Sequence, residues 1–294
     1  MVTAQGLTTT TDLADSIPTI IAESRQVREY AGRMSQLVDR RTLGRGLGLN
    51  WNEVSMAQVT AMTITETTVN ENAQTLSDTL FTIRPQKIQV LIFVSDTVRD
   101  RIARVAFREL GGLAMNAIVR KKDQDGLVIL QGAGTNVAGA GTTLVSGHIA
   151  AAQVQIAGNA TEPGEGPYNS VLHSFALKDI HAEITAPVGT DELTSGVSAN
   201  VFRSGFYKGT ISTVNMVNDD NITIDSSVDQ TGGVWAKRGI VLVQGRAIKV
   251  ETKREPGVGG GGNKVFTNDE FAYGERSSGN WLRGVISDAT VPTS

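Results

Sequence analysis

The stretch IQVLIFVSDTVRDRIARVAFRELGGLAMNAIVRKK, residues 88–122, constrains this chain more than any other. IQVLIFV, 88–94, reads as a buried strand by composition. Ser95 follows as a helix N-cap, and Asp96 stands in the first turn, where the helix dipole favours an anion. Val94, Val98, Ile102, Ala106, Leu110, Ala114 and Ile118 then recur every four residues, and Val105, Leu113 and Ala117 widen the stripe. A continuous helix over 95–122 is about 42 Å long at 1.5 Å per residue. Gly111 and Gly112 lie inside it, each costing about 1 kcal/mol against Ala. Either the helix bends there or two helices meet there.

The preceding segment, 43–86, has the opposite character. TLGRGLGLN is a glycine-punctuated exit from what comes before. WNEVSMAQVTAMTITETTV then alternates as a strand, with Val54, Met56, Met62 and Ile64 on one parity. NENA offers a turn, and TLSDTLFTIR returns with Leu76 and Leu80. The excursion has too few large apolar residues for its own core, and an isolated hairpin is marginal in water. Its apolar positions, Trp51, Val54, Met56, Met62, Ile64, Leu76 and Leu80, are expected to pack on something else, with a second copy of the chain the natural candidate.

Residues 1–12 read as a polar, Thr-rich arm that needs an outside partner to be ordered. Residues 13–41 read as a helix with Ile17, Ile20, Ile21, Val27, Met34, Leu37 and Val38 apolar, and Arg25, Arg28, Arg33, Arg40 and Arg41 on other faces. Those arginines form either a solvated face or a functional basic one. Downstream, LVILQGAGTNVAGAG is an apolar run entering a glycine loop, and HIAAAQVQIAGNA is weakly helical or irregular. TEPGEGPYNS is a loop, and VLHSFALKDIHAEI, 171–184, is an amphipathic helix. VFRSGFYKGTISTV, NITI, GIVLVQ and the strictly alternating RAIKVETK read as strands, and NKVFT and WLRGVIS are expected to complete a sheet.

Composition removes several kinds of chemistry. The 294-residue chain contains no Cys, which excludes disulfides, thiolate catalysis and Cys-based zinc sites. No apolar run reaches the ~18–20 residues of a membrane helix, and MVTAQGLTTTTDLADSIP lacks the basic and apolar regions of a secretory signal. Residues 1–122 carry a net charge of +3 and residues 123–294 a net charge of −6. Soluble nucleic-acid readers are usually far more basic, so contact with nucleic acid is expected to be weak and local.

The glycine loops fail as phosphate cradles. Gly132 and Gly134 fit G-x-G-x-x-G, but Val137 holds the third position. Gly134 and Gly139 fit the spacing of G-x-x-x-x-G-K-[ST], but Ala140 and Gly141 stand where Lys and Ser/Thr must be. Gly257 and Gly262 share that spacing, yet Asn263 replaces the Lys and the cluster joins two strands, so it reads as a hairpin tip. His148, His173 and His181 are scattered, and no H-E-x-x-H exists. Asp123 and Asp125, like Asp219, Asp220, Asn221 and Asp225, lack the remaining ligands of a calcium loop and read as polar turns. G-x-S-x-G is absent. No catalytic, cofactor-binding or metal-binding residues are expected.

The order of elements carries more information than any motif. A polar arm, a helix, a long hairpin, a strand entering V-S-D, a spine-like helix, an apolar turn ending in G-x-G (LQGAG), a mixed region and a late sheet follow in sequence. This order resembles the major capsid proteins of tailed bacteriophages with the Hong Kong 97 fold, over essentially the whole chain. The resemblance implies an α+β fold. Its segments would be an N-terminal arm and helix (1–42), an extended β-hairpin loop (43–86), a peripheral domain with its spine helix (87–140), an axial domain (141–238) and a β-sheet return to the peripheral domain (239–294). It implies a coat protein, not an enzyme, that self-assembles into hexamers and pentamers of an icosahedral head around double-stranded DNA. It further implies a portal protein as partner, location in the virion, assembly in the host bacterial cytoplasm and no membrane. Arg25, Arg28, Arg40, Arg41, Arg101, Arg104, Arg108, Arg120, Lys121 and Lys122 are the candidates for sequence-independent phosphate contact.

Two departures from the family pattern can be read directly. The founding member welds subunits through an isopeptide bond from a Lys on the extended loop to an Asn. This chain has no Lys before Lys87, so its shell is expected to hold without that bond, with room for a cement protein. Some members carry a scaffolding domain ahead of the arm; here the arm begins at Met1, and a separate scaffolding protein is expected. The alternative at this level is a β-rich tail or decoration protein forming a small closed oligomer.

Overall fold

The computed structural model describes residues 32–67, 73–101, 104–185, 209–258, 260–277 and 279–292, with the backbone alone for 101, 104–110 and 184–185. The expected arm, most of the helix expected over 13–41, and Arg25 and Arg28 lie outside the described residues. In chain order the elements are α1 (Met34–Leu37), β1 (Asp39–Thr42), β2 (Trp51–Met56), β3 (Asp78–Ile83), β4 (Gln86–Ser95), α2 (Asp96–Arg101) and α3 (Arg104–Gln131). There follow β5 (Asn136–Ala138), α4 (Ser146–Ala157), β6 (Tyr168–Leu172), α5 (Ser174–Thr185), β7 (Thr210–Ile211) and β8 (Val214–Asn218). The last are β9 (Asp229–Ala236), β10 (Ile240–Glu255), β11 (Gly262–Glu275) and β12 (Leu282–Asp288).

Three sheets organise these elements. A four-stranded sheet has the order β1-β10-β11-β4, a six-stranded sheet β5-β12-β9-β6-β8-β7, and β2 and β3 form a ribbon of their own. α3 lies against β11 and β4 of the first sheet and reaches β9 and β12 of the second. Leu127 and Leu130 on its last turns share one buried cluster with Trp235, Ile240, Phe271 and Leu282. α4 and α5 cover the six-stranded sheet, placing Ile149, Ala152, Ile156, Leu177 and Ile180 against Leu172, Val234 and Val285. In α4 the fully buried positions fall at i, i+3 and i+7, one face of a helix.

The strand-to-helix junction forms as its residues dictate. The Val98 amide donates to Ser95 Oγ at 3.3 Å, and Asp96 occupies the first turn. Val94, Val98, Ala114 and Ile118 are buried, as their spacing requires. Gly111 and Gly112 remain helical, so no break falls there. The helix also continues well past residue 122. LVILQ is its C-terminal end rather than an apolar turn, because Leu127 and Leu130 keep the buried stripe going.

Other expectations change for physical reasons. β4 is not buried on both faces: Phe93 and Val94 are buried, while Gln86, Lys87, Gln89 and Leu91 face solvent. The helix expected to reach residue 41 ends at Leu37. Val38 is extended (φ −102°, ψ 165°), and Asp39–Thr42 pairs in parallel with Val241–Gln244. HIAAAQVQIA is a regular helix. Residues 171–172 belong to β6, so the amphipathic helix starts at Ser174. NITI makes one bridge, Ile224 to Gln230, rather than a strand. The two late segments do not complete one sheet: NKVFT lies in β11, whereas WLRGVIS lies in β12, paired with β9 and β5. Within the glycine loop, NVA forms the strand β5, with Val137 buried. Neither Gly132 nor Gly134 uses a left-handed conformation; Ala138 (φ 63°) and Gly141 (φ 68°) make that turn.

Candidate assembly interface

The hairpin stands on a small packed root. β2 and β3 pair antiparallel from Trp51↔Ile83 to Met56↔Asp78. At the base, Ile83, Val241 and Val243 form a buried cluster against Leu43, Trp51, Phe81 and Ala272. Trp51 meets Phe81 edge-on at 6.3 Å between ring centroids. Trp51 therefore belongs to the root and not to the free surface expected of it.

Beyond the root the hairpin is tied back to the body through Gln58, whose Nε2 donates to Thr161 O. Residues 57–67 and 73–77 are not strand, so the expected ladder is shorter than the alternation suggested. Local ties replace it: the Ala57 amide donates to Ser77 O at 2.9 Å, and the Thr60 amide donates to Gln74 Oε1 at 2.8 Å. Val54, Met56, Met62, Ile64, Leu76 and Leu80 are each more than half exposed, Met56 at 77% and Leu76 at 70%. Leu47, Leu49 and Val59 add to them. So many exposed large apolar side chains in one segment mark a surface that something covers.

The basic residues divide among separate elements. Arg40 and Arg41 lie on edge strand β1, where Arg40 Nε donates to Ser35 O at 2.5 Å and Arg41 pairs with Asp39 at 3.1 Å. Arg120 and Lys121 are exposed neighbours on α3, and Lys121 pairs with Asp125 at 2.6 Å, one turn on. Lys122 points the other way. Its Nζ lies 2.8 Å from Asp269 Oδ2, donates to Gln244 Oε1 at 2.9 Å and sits 4.8 Å from the Phe271 ring centroid. A lysine committed in this way cannot present its charge to a phosphate, and Lys122 leaves the candidate set. The side chains of Arg101, Arg104 and Arg108 lie outside the described residues.

Asp123 and Asp219 do not sit in simple polar turns. Asp123 is a buried residue of α3, accepting from the Met34 amide at 2.9 Å and from Asn221 Nδ2 at 2.9 Å. Asp219 accepts from the Arg33 amide at 3.0 Å and the Asn221 amide at 3.0 Å. The two carboxyls thus join α3, the start of α1 and the 219–221 turn. Burial pushes Asp219 up to about 7, the charge of Asp123 adds to the rise, and the two backbone amides oppose it. Gly126 completes this junction: a Cβ there would come within 2.5 Å of Met34 Cγ.

No group of three or more His, Cys, Asp or Glu converges among the described residues as a metal site would. No helix of the described residues is long and apolar enough to cross a membrane. His148 Nδ1 accepts from the Val145 amide and His173 Nδ1 from the Phe175 amide; burial lowers the pKa of His173. Residues 256–258 and 260–261 lie between β10 and β11, as the failed phosphate motif predicts, with Gly260 and Gly261 at positive φ.

One feature at the hairpin root carries no sequence signal. Arg276, its side chain 8% exposed, reaches Asp39 and Glu53 at once. Glu53 precedes it by more than two hundred positions, and no motif joins them.

No family profile and no curated protein matches the sequence. Solved structures do. The capsid of cyanophage P-SCSP1u superposes with a TM-score of 0.71 at 11% identity, covering 92% of this chain and 93% of that one. A structure from Mycobacterium phage Che8 gives 0.69 at 14%, covering 90% and 94%. The holo-SrpI encapsulin complex of Synechococcus elongatus gives 0.60 at 9%, covering 92% and 95%. The chain has the Hong Kong 97-type α+β fold of tailed-phage capsid structures.

Proposed function

We propose that this chain is a major capsid protein that self-assembles into the hexamers and pentamers of an icosahedral phage head around double-stranded DNA. The carrying observation is the hairpin of residues 43–86. It is rooted in the body but exposes Val54, Met56, Leu76 and Leu80, and its ribbon β2-β3 pairs with no third strand among the described residues. The fold shared with capsid shells supplies the context. A surface buried only in the assembly makes stability inseparable from the lattice, and many modest contacts then sum through multivalency.

On this reading α3 with the β1-β10-β11-β4 sheet forms the peripheral domain, and the six-stranded sheet with α4 and α5 forms the axial domain. β5 and β12 then belong with the axial part, although residues 136–138 and 282–288 flank it in sequence. The role is structural and needs no cofactor. The protein resides in the virion after assembly in the host cytoplasm, with portal, scaffolding and cement proteins as its further partners. Arg40, Arg41, Arg120 and Lys121 are the described candidates for DNA-side charge, alongside Arg25, Arg28, Arg101, Arg104 and Arg108.

The test is expression of the chain with its candidate scaffolding partner and electron microscopy of the product. Closed shells are expected from the full chain, and none from a variant in which residues 57–77 are replaced by a short turn. Normal shells from that variant, or a small closed oligomer from the full chain, would overturn the reading. Shells loaded with protein and excluding DNA would move it to an encapsulin-like compartment.

A further inference from the structure

We propose that Arg276 is the positioning residue of the extended hairpin, its guanidinium fixing the direction in which β2 and β3 leave the body before any second copy is met. The proposal deepens the assembly reading and rests on it for its consequence, though not for its geometry.

Arg276 directly follows β11, and its side chain reaches the root of the hairpin. Nε donates to Glu53 Oε2 on β2 at 2.8 Å. Its second terminal nitrogen lies 2.8 Å from Asp39 Oδ2 on β1. The first donates to Arg238 O, in the turn before β10, at 2.8 Å. The guanidinium carbon lies 5.8 Å from the Trp51 ring centroid, also on β2. One planar group therefore ties hairpin, edge strand and connecting turn, and only a guanidinium has a rigid fork of donors for all three. Arg41 also pairs with Asp39, so the cluster of two arginines and two carboxylates is neutral.

The need for such a tie follows from the packing. The hairpin's apolar root is small, and a two-stranded ribbon pivots on a small root unless polar contacts fix it. Gly274 has Phe81 and Ile83 so close that a Cβ would fall within 3 Å of both, which seats β3. The β2 arm is held by Trp51 and Glu53 at the root and, just past the strand, by Gln58, whose Nε2 donates to Thr161 O. The Arg276 contacts act on β2. If the hairpin samples about ten orientations without them, the docking-competent fraction, and with it apparent affinity for the next copy, falls about tenfold.

The absence of cysteine makes the measurement direct. Ser55→Cys on β2 and Val154→Cys on α4 are exposed sites for paired spin labels. Double electron–electron resonance on the unassembled full chain is expected to give one narrow distance peak. Arg276→Ala is expected to lose that peak to a broad distribution, and Arg276→Lys to fall between. Glu53→Ala, which removes the acceptor of one tie at a partly exposed site, provides a second, milder loss if Arg276→Ala does not fold. Ile180→Val, destabilising but on α5, which carries neither label, is expected to keep the peak narrow, so a general loosening would show itself. A narrow peak in folded Arg276→Ala, or in Glu53→Ala where that variant alone folds, overturns the proposal. The distance is read without shells. If wild-type chain forms no shells but Arg276→Ala still broadens the peak, the assembly reading fails while the positioning role stands.

Discussion

Lys122 Nζ lies 2.8 Å from Asp269 Oδ2, joining α3 to β11 where the carboxyl side chain has no exposure and the lysine little. The pair sits one residue from the exposed Lys121, so two adjacent lysines have opposite fates. Removing one partner of a buried pair leaves an uncompensated charge and costs roughly 3–5 kcal/mol. Lys122→Ala is therefore expected to lower the stability of the purified chain by that order. Lys121→Ala, which loses an exposed i,i+4 pair, is expected to cost under about 0.5 kcal/mol. Urea unfolding of the two variants side by side checks this, and equal losses would deny Lys122 its structural role.

Asp219 predicts how stability depends on pH. Its ordinary value is 3.8 and its folded value is about 7, chiefly through burial. The folded chain thus holds a proton that the unfolded chain has released anywhere between those values. By linkage this contribution is fully present below about pH 4 and is lost as pH rises through about 7. The lowered His173 acts in the opposite direction, so the whole-chain profile mixes the two. Asp219→Asn isolates the carboxyl: its amide oxygen can still accept from the Arg33 or Asn221 amide while its NH2 donates towards Asp123. The stability difference between Asp219→Asn and wild type is expected to shift in favour of Asn from pH 4 to pH 7.5. Urea midpoints across that range decide it; a difference flat with pH removes Asp219 as the titrating group.

How much of this was legible in the sequence depends on whether a feature is local. Ser95 as a cap and the stripe through Val98, Ala114 and Ile118 follow from spacing alone. The exposed hairpin follows from counting large side chains in 43–86. Lys122 and Lys121 look alike in sequence because both are basic residues at the end of the same stripe. Only the approach of Asp269 and Phe271, from a strand well over a hundred residues away, separates them. Arg276, Asp39 and Glu53 are ordinary charged residues until three distant segments meet. Short-range rules assign Asp123 and Asp219 to turns, whereas their burial comes from the closure of α1 over Gly126. WLRGVIS was a strand by pattern, but the sheet it joins is set by tertiary pairing with β9.

The packing of α4 supplies a calibration of the core. Ile156 is fully buried against the six-stranded sheet, while Val154, two positions earlier, is 62% exposed. Ile156→Ala is expected to cost about 2–5 kcal/mol, the cost of lost burial plus the cavity left behind. Val154→Ala is expected to stay within about 0.5 kcal/mol of wild type. Calorimetry of both variants tests whether this face of α4 is the buried one; a reversed order would rotate the helix.

The hairpin's exposed residues allow folding to be separated from assembly. Val54, Met56 and Leu80 contribute almost nothing to the body's own core, since each is more than half exposed in the single chain. Their replacement together by Ser is expected to leave the unfolding free energy of the unassembled chain within about 1 kcal/mol of wild type, as for surface changes that break no buried contact. If a neighbouring copy covers these side chains, each truncation removes roughly 1.5–3 kcal/mol of apolar burial per interface. That loss recurs at every subunit of a closed lattice, so the triple variant is expected to stay soluble and unassembled where wild type forms shells. The same substitutions at Phe81 and Ile83 behave differently, because those side chains pack into the root with Val241 and Val243. There the unassembled chain itself loses stability. Sedimentation of assembled against free chain, paired with urea unfolding of the free chain, reads both effects at once. A triple variant that assembles normally shows that the apolar ribbon is not the surface a second copy covers.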